Sequence, residues 1–323
     1  MNTLPVMGLS GVAGVLAPVR LEVEELAAAG LVGSAPQTLR EFGFARAHLA
    51  DDGCDAGSLA LEASRAALAD AGLEAADIDL LVWASARPES HVRPNARGDS
   101  TAADVFDGFR YQSGWLQEEI GLHNANVIAV AQQGCSTMFS ALRMARAILA
   151  TEPEREHVLC VAADVLPAGS PREILYNVVS DGACAVVLSR GCTTDRWIGF
   201  SQISHGYYWD PVERAAEIMA AYFVMGRQVI QDLLNAHGVA PDQVDVVIPT
   251  GINRTSWDVM LRLVGIPADR LHTGADSFGH TISADSFIHL QQLRRCRRIR
   301  SGSKVLMFTY GFGSSWSALL LEH

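Results

Sequence analysis

Short apolar runs alternate along this chain with segments of helical periodicity, and glycines or polar clusters stand between them. Residues 5 to 20 read as a strand and loop, and Leu21 to Ala29 as a short acidic helix. Gly43-Phe-Ala-Arg-Ala-His48 reads as a connecting turn. From Ser58 to Ala71, Leu and Ala recur at helical spacing, and Gly72 closes that helix. Leu80 to Ala84 predicts a strand, and Ser113 to Ile120 a helix ended by Gly121. Val127-Ile-Ala-Val-Ala131 predicts a buried strand, because it is apolar and rich in β-branched residues. Gln132, Gln133, Gly134 and Cys135 follow, and then a run of Ala, Leu, Met and Arg to Leu149 that predicts a helix. Glu156 to Ala163 predicts a strand, and Asn177 to Leu188 a turn feeding a strand. Gly226 to Ala236 predicts a helix closed by Gly238.

Residues 86 to 112 break this pattern. They hold prolines, glycines, charges and the aromatics Phe106, Phe109 and Tyr111. A long irregular excursion in a compact domain is usually functional or disordered. The aromatics favour a docked lid or a dimer contact over disorder.

The pattern also repeats. Residues Ala67 to Trp83 align without a gap on Leu233 to Pro249, placing Gly72 on Gly238 and Asp79 on Asp245. Further on, Gly121-Leu122 lies opposite Gly265-Ile266, and at that second offset Cys135 falls on Gly279, directly before His280. The strand His157 to Ala163 then matches Lys304 to Thr309. Three units matching in order indicate a duplicated fold. Alternating strands and helices predict α/β layering with a largely parallel sheet. A pseudo-two-fold arrangement would start the Cys135 and His280 helices near one central point.

Composition narrows the class. Apolar residues make up 49% of the chain and charged ones 19%, which is globular. The net charge of −11 argues against binding nucleic acid or an anionic membrane surface. The six cysteines are scattered, without the spacing of a metal site or disulfide framework, so a reduced cytoplasmic compartment is expected. The N-terminus lacks a basic leader and no apolar stretch is long enough for a bilayer, so no signal peptide or membrane span is expected.

Cys135 is the candidate nucleophile. A turn at Gly134 would place it at the first turn of the following helix, where the dipole favours thiolate. A thiolate is a nucleophile for covalent acyl transfer. The alternative is a small buried cysteine packing as a hydrophobe. Cys160 and Cys184 lie in apolar strand runs and read as core. Asp181-Gly182 reads as a turn supporting the Cys135 loop, while His205, Tyr207 and Tyr208 would either line an acyl tunnel or pack.

Together these features resemble the thiolase superfamily, and within it ketoacyl-ACP synthase III. Gly43-Phe-Ala-Arg-Ala-His48 is similar to that family's glycine-isoleucine-arginine-x-arginine-histidine turn. Val247-Ile-Pro-Thr-Gly-Ile-Asn253 resembles its valine-proline-histidine-glutamine-alanine-asparagine segment, and Phe278-Gly-His-Thr281 its histidine-glycine-asparagine-threonine segment. Asp181-Gly-Ala and Gly311-Phe-Gly-Ser-Ser-Trp316 complete the likeness. The resemblance implies a thiolase-like five-layered αβαβα fold in two duplicated halves. Residues 1–193 would carry the nucleophile Cys135 and residues 194–323 the histidine, His280. It also implies a homodimer, and an oxyanion hole from the backbone N–H groups of Cys135, Phe312 and Gly313.

The departures matter as much. The family's catalytic His corresponds here to Thr250 and its Asn to His280. In the family that His and Asn donate to the thioester oxygen of malonyl-ACP as carbon dioxide leaves. Thr250 has a shorter reach and one donor. His280 can donate, but it can also act as a base near neutral pH. It would either activate Cys135 or deprotonate an acceptor hydroxyl or amine. Asn253 keeps the family residue and would orient the acceptor. The family's tryptophan that stacks on the adenine of coenzyme A falls near Gln37, which favours a carrier-protein donor over coenzyme A. The basic run Arg294 to Arg300 reads as a solvated helix end, or else as a contact for an acidic carrier.

The function expected is thus acyl transfer from a thioester through Cys135 to a second substrate, in fatty-acid, polyketide or specialised metabolism, with no cofactor or metal. The rivals are a decarboxylative condensing enzyme and a non-catalytic subunit that docks a partner.

Overall fold

A computed structural model describes residues 5–86, 109–175, 177–251, 253–272 and 278–323. Residues 87–108, nearly all of the excursion that interrupts the sequence pattern, lie outside the described residues, and with them the expected lid or dimer contact.

The elements run β1 (Met7–Leu16), β2 (Val19–Glu22), α1 (Val23–Ala28), α2 (Pro36–Glu41), β3 (Arg46–Leu49), α3 (Ala56–Ala71), β4 (Leu80–Ser85), α4 (Gln112–Ile120), β5 (Asn126–Ala131), α5 (Thr137–Thr151) and β6 (His157–Asp164). Then follow β7 (Glu173–Ile174), β8 (Asn177–Val178), β9 (Gly182–Arg190), β10 (Arg196–Ser204), α6 (Ala215–Ala236), β11 (Val246–Ile248), α7 (Arg254–Val264), α8 (Asp285–Arg295), β12 (Lys304–Gly311) and β13 (Ser315–Glu322).

Nine strands form one sheet in the order β11-β12-β13-β10-β1-β9-β6-β4-β5. The two halves touch through one register pair, Gly8 with Arg196, where β1 meets β10. Each half repeats the same pairing. β4 is parallel to β6, and β6 to β9 and β9 to β1 are antiparallel. β11 is parallel to β12, and β12 to β13 and β13 to β10 are antiparallel. The duplicated segments therefore stand at matching places in the two halves. The sheet is mixed and not largely parallel as the alternation suggests. β12 returns to β13 through a tight turn, so that connection carries no crossover helix.

Side-chain alternation builds five layers. Leu81, Trp83, Leu159 and Val161 face α3 and α4 on one side of the first half. Their neighbours Leu80, Val82, Val158 and Cys160 face inward, toward Phe139 and Leu142 of α5 and Phe287 and Leu290 of α8. The same inner core takes Val305 and Met307 of β12 and Leu319 and Leu321 of β13 from the second half. Leu306, Phe308, Ala318 and Leu320 face the other way, against α6 and α7. Helices α5 and α8 thus form a central layer between two sheet halves, which is why α5 is buried on several sides. Cys160 and Cys184 are fully buried core residues. Among the described residues no helix is long and apolar enough to cross a membrane.

Candidate active site

Both central helices begin at the site. The chain leaves β5, turns at Gln132 (φ +67°) and Gly134 (φ +50°), and makes a 3₁₀ turn over Gly134–Ser136 before α5 starts at Thr137. Cys135 lies in that 3₁₀ turn, ahead of the α-helix and not inside its first turn. Ser136 Oγ donates to the Gln133 carbonyl at 2.7 Å and Thr137 Oγ1 to the Gly134 carbonyl at 2.6 Å. The strand before the turn, β5, is an edge strand with only partial burial, in contrast to the buried strand that its composition suggests.

The β12–β13 turn presses on this loop from the other half. A β-carbon on Gly134 would lie 2.5 Å from the Phe312 nitrogen, and one on Gly311 would collide with the Gln133 carbonyl and sit 2.7 Å from Ser136 Oγ. Thr309 Oγ1 donates to the Cys135 carbonyl at 3.3 Å. The turn holding Phe312 and Gly313 is therefore seated against the turn holding Cys135.

His280 enters from the second half. Its N–H donates to the Val178 carbonyl at 2.7 Å, and its carbonyl accepts the Ser180 N–H at 2.8 Å. Gly279 precedes it with φ +74°, where a β-carbon would meet Ser180 Oγ at 2.8 Å and the Val178 carbonyl at 2.9 Å. The 178–181 segment is pinned in turn by Asp181. That carboxylate accepts the Ala50 and Leu166 N–H groups, both at 2.9 Å, and makes a buried ion pair with Arg172 at 2.5 Å. These contacts place Asp181 in support of the His280 segment and not, as the motif suggests, of the Cys135 loop.

His280 Nε2 lies 3.2 Å from Cys135 Sγ. On its other side Nδ1–H donates to Asp285 Oδ2 at 2.5 Å. Asp285 is the first residue of α8 and is buried. Its carboxylate also accepts the Gly251 N–H at 2.6 Å, the Thr281 N–H at 2.5 Å and the Thr281 hydroxyl at 2.6 Å. Burial pulls the His280 ring toward its neutral form, but the charge of Asp285 and the thiol of Cys135 outweigh that and hold its pKa well above 6.5. Burial likewise pushes Asp285 up, and the His280 charge and these hydrogen bonds outweigh it, holding the carboxyl below its ordinary range. An imidazole held between a thiol and a carboxylate can activate the sulfur and shuttle protons.

Asp285 is absent from the sequence-level candidates. An acidic residue at the first turn of a helix is ordinarily explained by the dipole alone, so only its position five residues after His280 hinted at more.

The other expected site residues lie differently. Thr250 is buried, and its single hydroxyl hydrogen is donated to the Phe308 carbonyl at 2.7 Å. It has no hydrogen left for a substrate oxygen, because its residue position points it at β12. Asn253 caps α7. Its Oδ1 accepts the Ser256 N–H at 3.0 Å and the Ser256 hydroxyl at 2.9 Å, and its N–H donates to Asn177. Gln37, on α2, donates to Glu41 at 3.2 Å. Tyr208 packs against Trp316 with ring centroids 5.9 Å apart, and the Arg214 guanidinium stacks over Tyr207. In the basic run, Arg294 pairs with Asp70 at 3.1 Å and Asp195 at 3.6 Å, while Arg295, Arg297 and Arg298 are exposed at and beyond the end of α8.

Five layers, duplicated halves and a cysteine at the head of a buried central helix define the thiolase-like fold. The family model for 3-oxoacyl-(acyl-carrier-protein) synthase III matches residues 131–206, and the model for its C-terminal part matches residues 234–323. The chain belongs to this family of condensing and acyl-transferring enzymes. It is 28% identical over 305 residues to the β-ketoacyl-(acyl-carrier-protein) synthase III of Nitratidesulfovibrio vulgaris (strain DSM 19637 / Miyazaki F), covering 87% of each chain. Its structure matches 3-oxoacyl-(acyl-carrier-protein) synthase III from Aquifex aeolicus VF5 with a TM-score of 0.82 at 20% identity, over 98% of this chain and 100% of that one. It matches ChlB3, described as an acyltransferase, with a TM-score of 0.82 at 20% identity, over 98% of each chain.

Proposed function

We propose that this chain transfers an acyl group from a thioester, through Cys135, to an acceptor hydroxyl or amine without decarboxylation. The observation that carries this reading is the continuous hydrogen-bonded series from Cys135 Sγ through His280 to Asp285. In the first half-reaction sulfur attacks the thioester carbonyl as a thiolate beside the His280 imidazolium, whose raised pKa keeps the proton on Nε2. The carbon–sulfur bond to the donor breaks, and the imidazolium returns the proton to the leaving thiolate. In the second, Nε2 takes the acceptor's proton as oxygen or nitrogen attacks the acyl-enzyme. The Cys135 thiolate leaves, and the proton taken from the acceptor stays on Nε2, which restores the starting pair. Asp285 holds the Nδ1–H tautomer and stabilises the imidazolium in each half. Backbone N–H groups of Cys135 and the Phe312–Gly313 turn serve the oxyanion, where each such donor typically lowers a barrier by about 3–4 kcal/mol.

The relatives' names favour a second reading, decarboxylative condensation. That chemistry asks for two donors on the thioester oxygen of a malonyl substrate. Here the Nδ1–H of His280 is spent on Asp285 and the hydroxyl of Thr250 on Phe308, which favours the base-assisted transfer. A non-catalytic docking role is disfavoured by the same retained series. The donor is a carrier protein, since Gln37 offers no aromatic face and is tied to Glu41. The working unit is a homodimer joined along β5.

The test is intact-protein mass after mixing wild type and Cys135→Ala with panels of acyl-CoA and acyl-carrier thioesters. A gain of one acyl group in wild type alone, discharged by hydroxyl or amine acceptors, supports the proposal. Release of carbon dioxide from malonyl-carrier protein by the acyl-enzyme would select condensation instead. No gain with any donor would leave the docking role.

A further inference from the structure

Asp164 ends β6 and is 2% exposed, yet neither half-reaction uses it. Its two carboxylate oxygens reach separate segments. Oδ1 accepts the Ala86 N–H at 3.1 Å, directly after β4, and Oδ2 accepts the Ser283 N–H at 3.4 Å. Ser283 lies inside the short turn between His280 and Asp285. Asp285 grips the same turn from its other side, through the N–H and hydroxyl of Thr281. Between the two gripped residues stands Ile282, at φ +58°. A β-branched residue in the left-handed region is strained, and such strain persists only where the surroundings over-determine it. Packing adds to the restraint: Gly182, the ladder partner of Asp164, leaves Thr281 Cγ2 only 3.1 Å from where a β-carbon would be.

Resting on the reading of His280 and Asp285 given above, we infer that Asp164 is a positioning residue for that pair. It anchors Ser283 while Asp285 anchors Thr281, and together they hold Ile282 in the conformation that lets Asp285 return to Nδ1 while Nε2 faces Cys135. The same carboxylate ties this turn to the chain leaving β4, so one buried group registers three segments at the floor of the site.

The experiment compares wild type, Asp164→Asn, Ile282→Gly and the double variant. Two readouts are followed: the rate of acyl loading on Cys135, and the pH profile of Cys135 alkylation by iodoacetamide, measured by peptide mass. Asparagine keeps one acceptor and turns an N–H toward the other donor. The Asp164→Asn protein is expected to load about 10–100-fold more slowly, the range for a misplaced catalytic group. Its alkylation profile should move to higher pH, because the thiol loses its imidazole partner. Adding Ile282→Gly should recover both readouts, since glycine adopts positive φ without strain. Wild-type loading and alkylation in Asp164→Asn would overturn the inference, as would a loss that Ile282→Gly does not recover. If Asp164→Asn does not fold, Asp164→Ser with Ile282→Gly is read by the same criteria. A wild type that takes no acyl group from any donor would count against the proposed function, while the alkylation profiles still decide the role of Asp164.

Discussion

Four donors converge on the Asp285 carboxylate, and that number sets what its loss should do. Asp285→Asn keeps the size but presents N–H to an N–H, and it permits the wrong imidazole tautomer. Acyl transfer is expected to fall on the order of a thousand-fold or more. The stability signature has a defined sign. His280 has a raised pKa, so its contribution is complete below 6.5 and fades as pH rises through the raised value. Asp285 has a lowered pKa, so its contribution is present above 3.8 and is lost as pH falls through the lowered value. The melting-temperature gap between wild type and Asp285→Asn should therefore be widest between those two limits and narrow on either side. A pH-independent gap would show that the two groups are not coupled. Thr250 gives the contrasting case. Thr250→Val removes a buried hydrogen bond to the Phe308 carbonyl and should lower stability by about 1–2 kcal/mol in urea unfolding. Its acyl-loading rate should stay close to wild type, and a collapse of that rate would return Thr250 to the machinery. Cys135 and His280 were legible in the sequence because a repeat aligned their helices. Asp164 and the commitment of Thr250 were not, because each depends on a partner far away in the chain, and Asp285 was not, because an acid at a helix start is ordinarily explained by the dipole.

Strands and helices of the core follow the alternation closely, with α3, β4, β6 and β9 starting and stopping near the residues the pattern marks. What the pattern does not carry is how one element sits on another. The start of α5 slips past Cys135 because the β12–β13 turn occupies the space beside Gly134 and Gly311. α6 begins at Ala215, well before Gly226: Ile218, Ala221 and Tyr222 are buried ahead of that glycine, and Tyr222 packs edge-on against Phe308 of β12. The seat between Gly311 and Gln133 makes a direct prediction. Gly311→Ala forces a methyl group into the Gln133 carbonyl and against Ser136 Oγ, so the two turns must separate. Such overpacking typically costs about 1–3 kcal/mol. Denaturant midpoints should drop accordingly, and acyl loading should fall further than stability does, because the Phe312 N–H leaves its place beside the Cys135 loop. Equal loading per folded molecule in Gly311→Ala would mean that this turn does not serve the oxyanion.

On the scale of the molecule, duplication explains why Cys135 and His280 come from different halves. Each half places one helix in the central layer, and the shared core around Phe139 and Phe287 brings the two helix starts together. The halves are not equal at their outer ends. Beyond β11 the second half has, among the described residues, a single bridge from Val247 to Leu271, whereas the first half continues into the full strand β5. β5 pairs with β4 on one side, and its other edge is open, among the described residues. Its sequence, Asn126-Val-Ile-Ala-Val-Ala131, holds no charge and no proline. Natural sheets protect exposed edges with charges, prolines or bulges, and an unprotected apolar edge is a template for pairing. A second copy meeting β5 antiparallel across a two-fold axis would satisfy the edge on both protomers at once and run one sheet through the pair. It would also bring the partner beside the turn that carries Cys135, which leaves β5 directly. Native mass spectrometry should therefore give twice the 34.7 kDa protomer for wild type. Ala129→Lys, at an exposed position of β5, should shift the mass to a single protomer and slow acyl loading. A wild type that stays at one protomer mass at micromolar concentration would show that the edge is covered by something else.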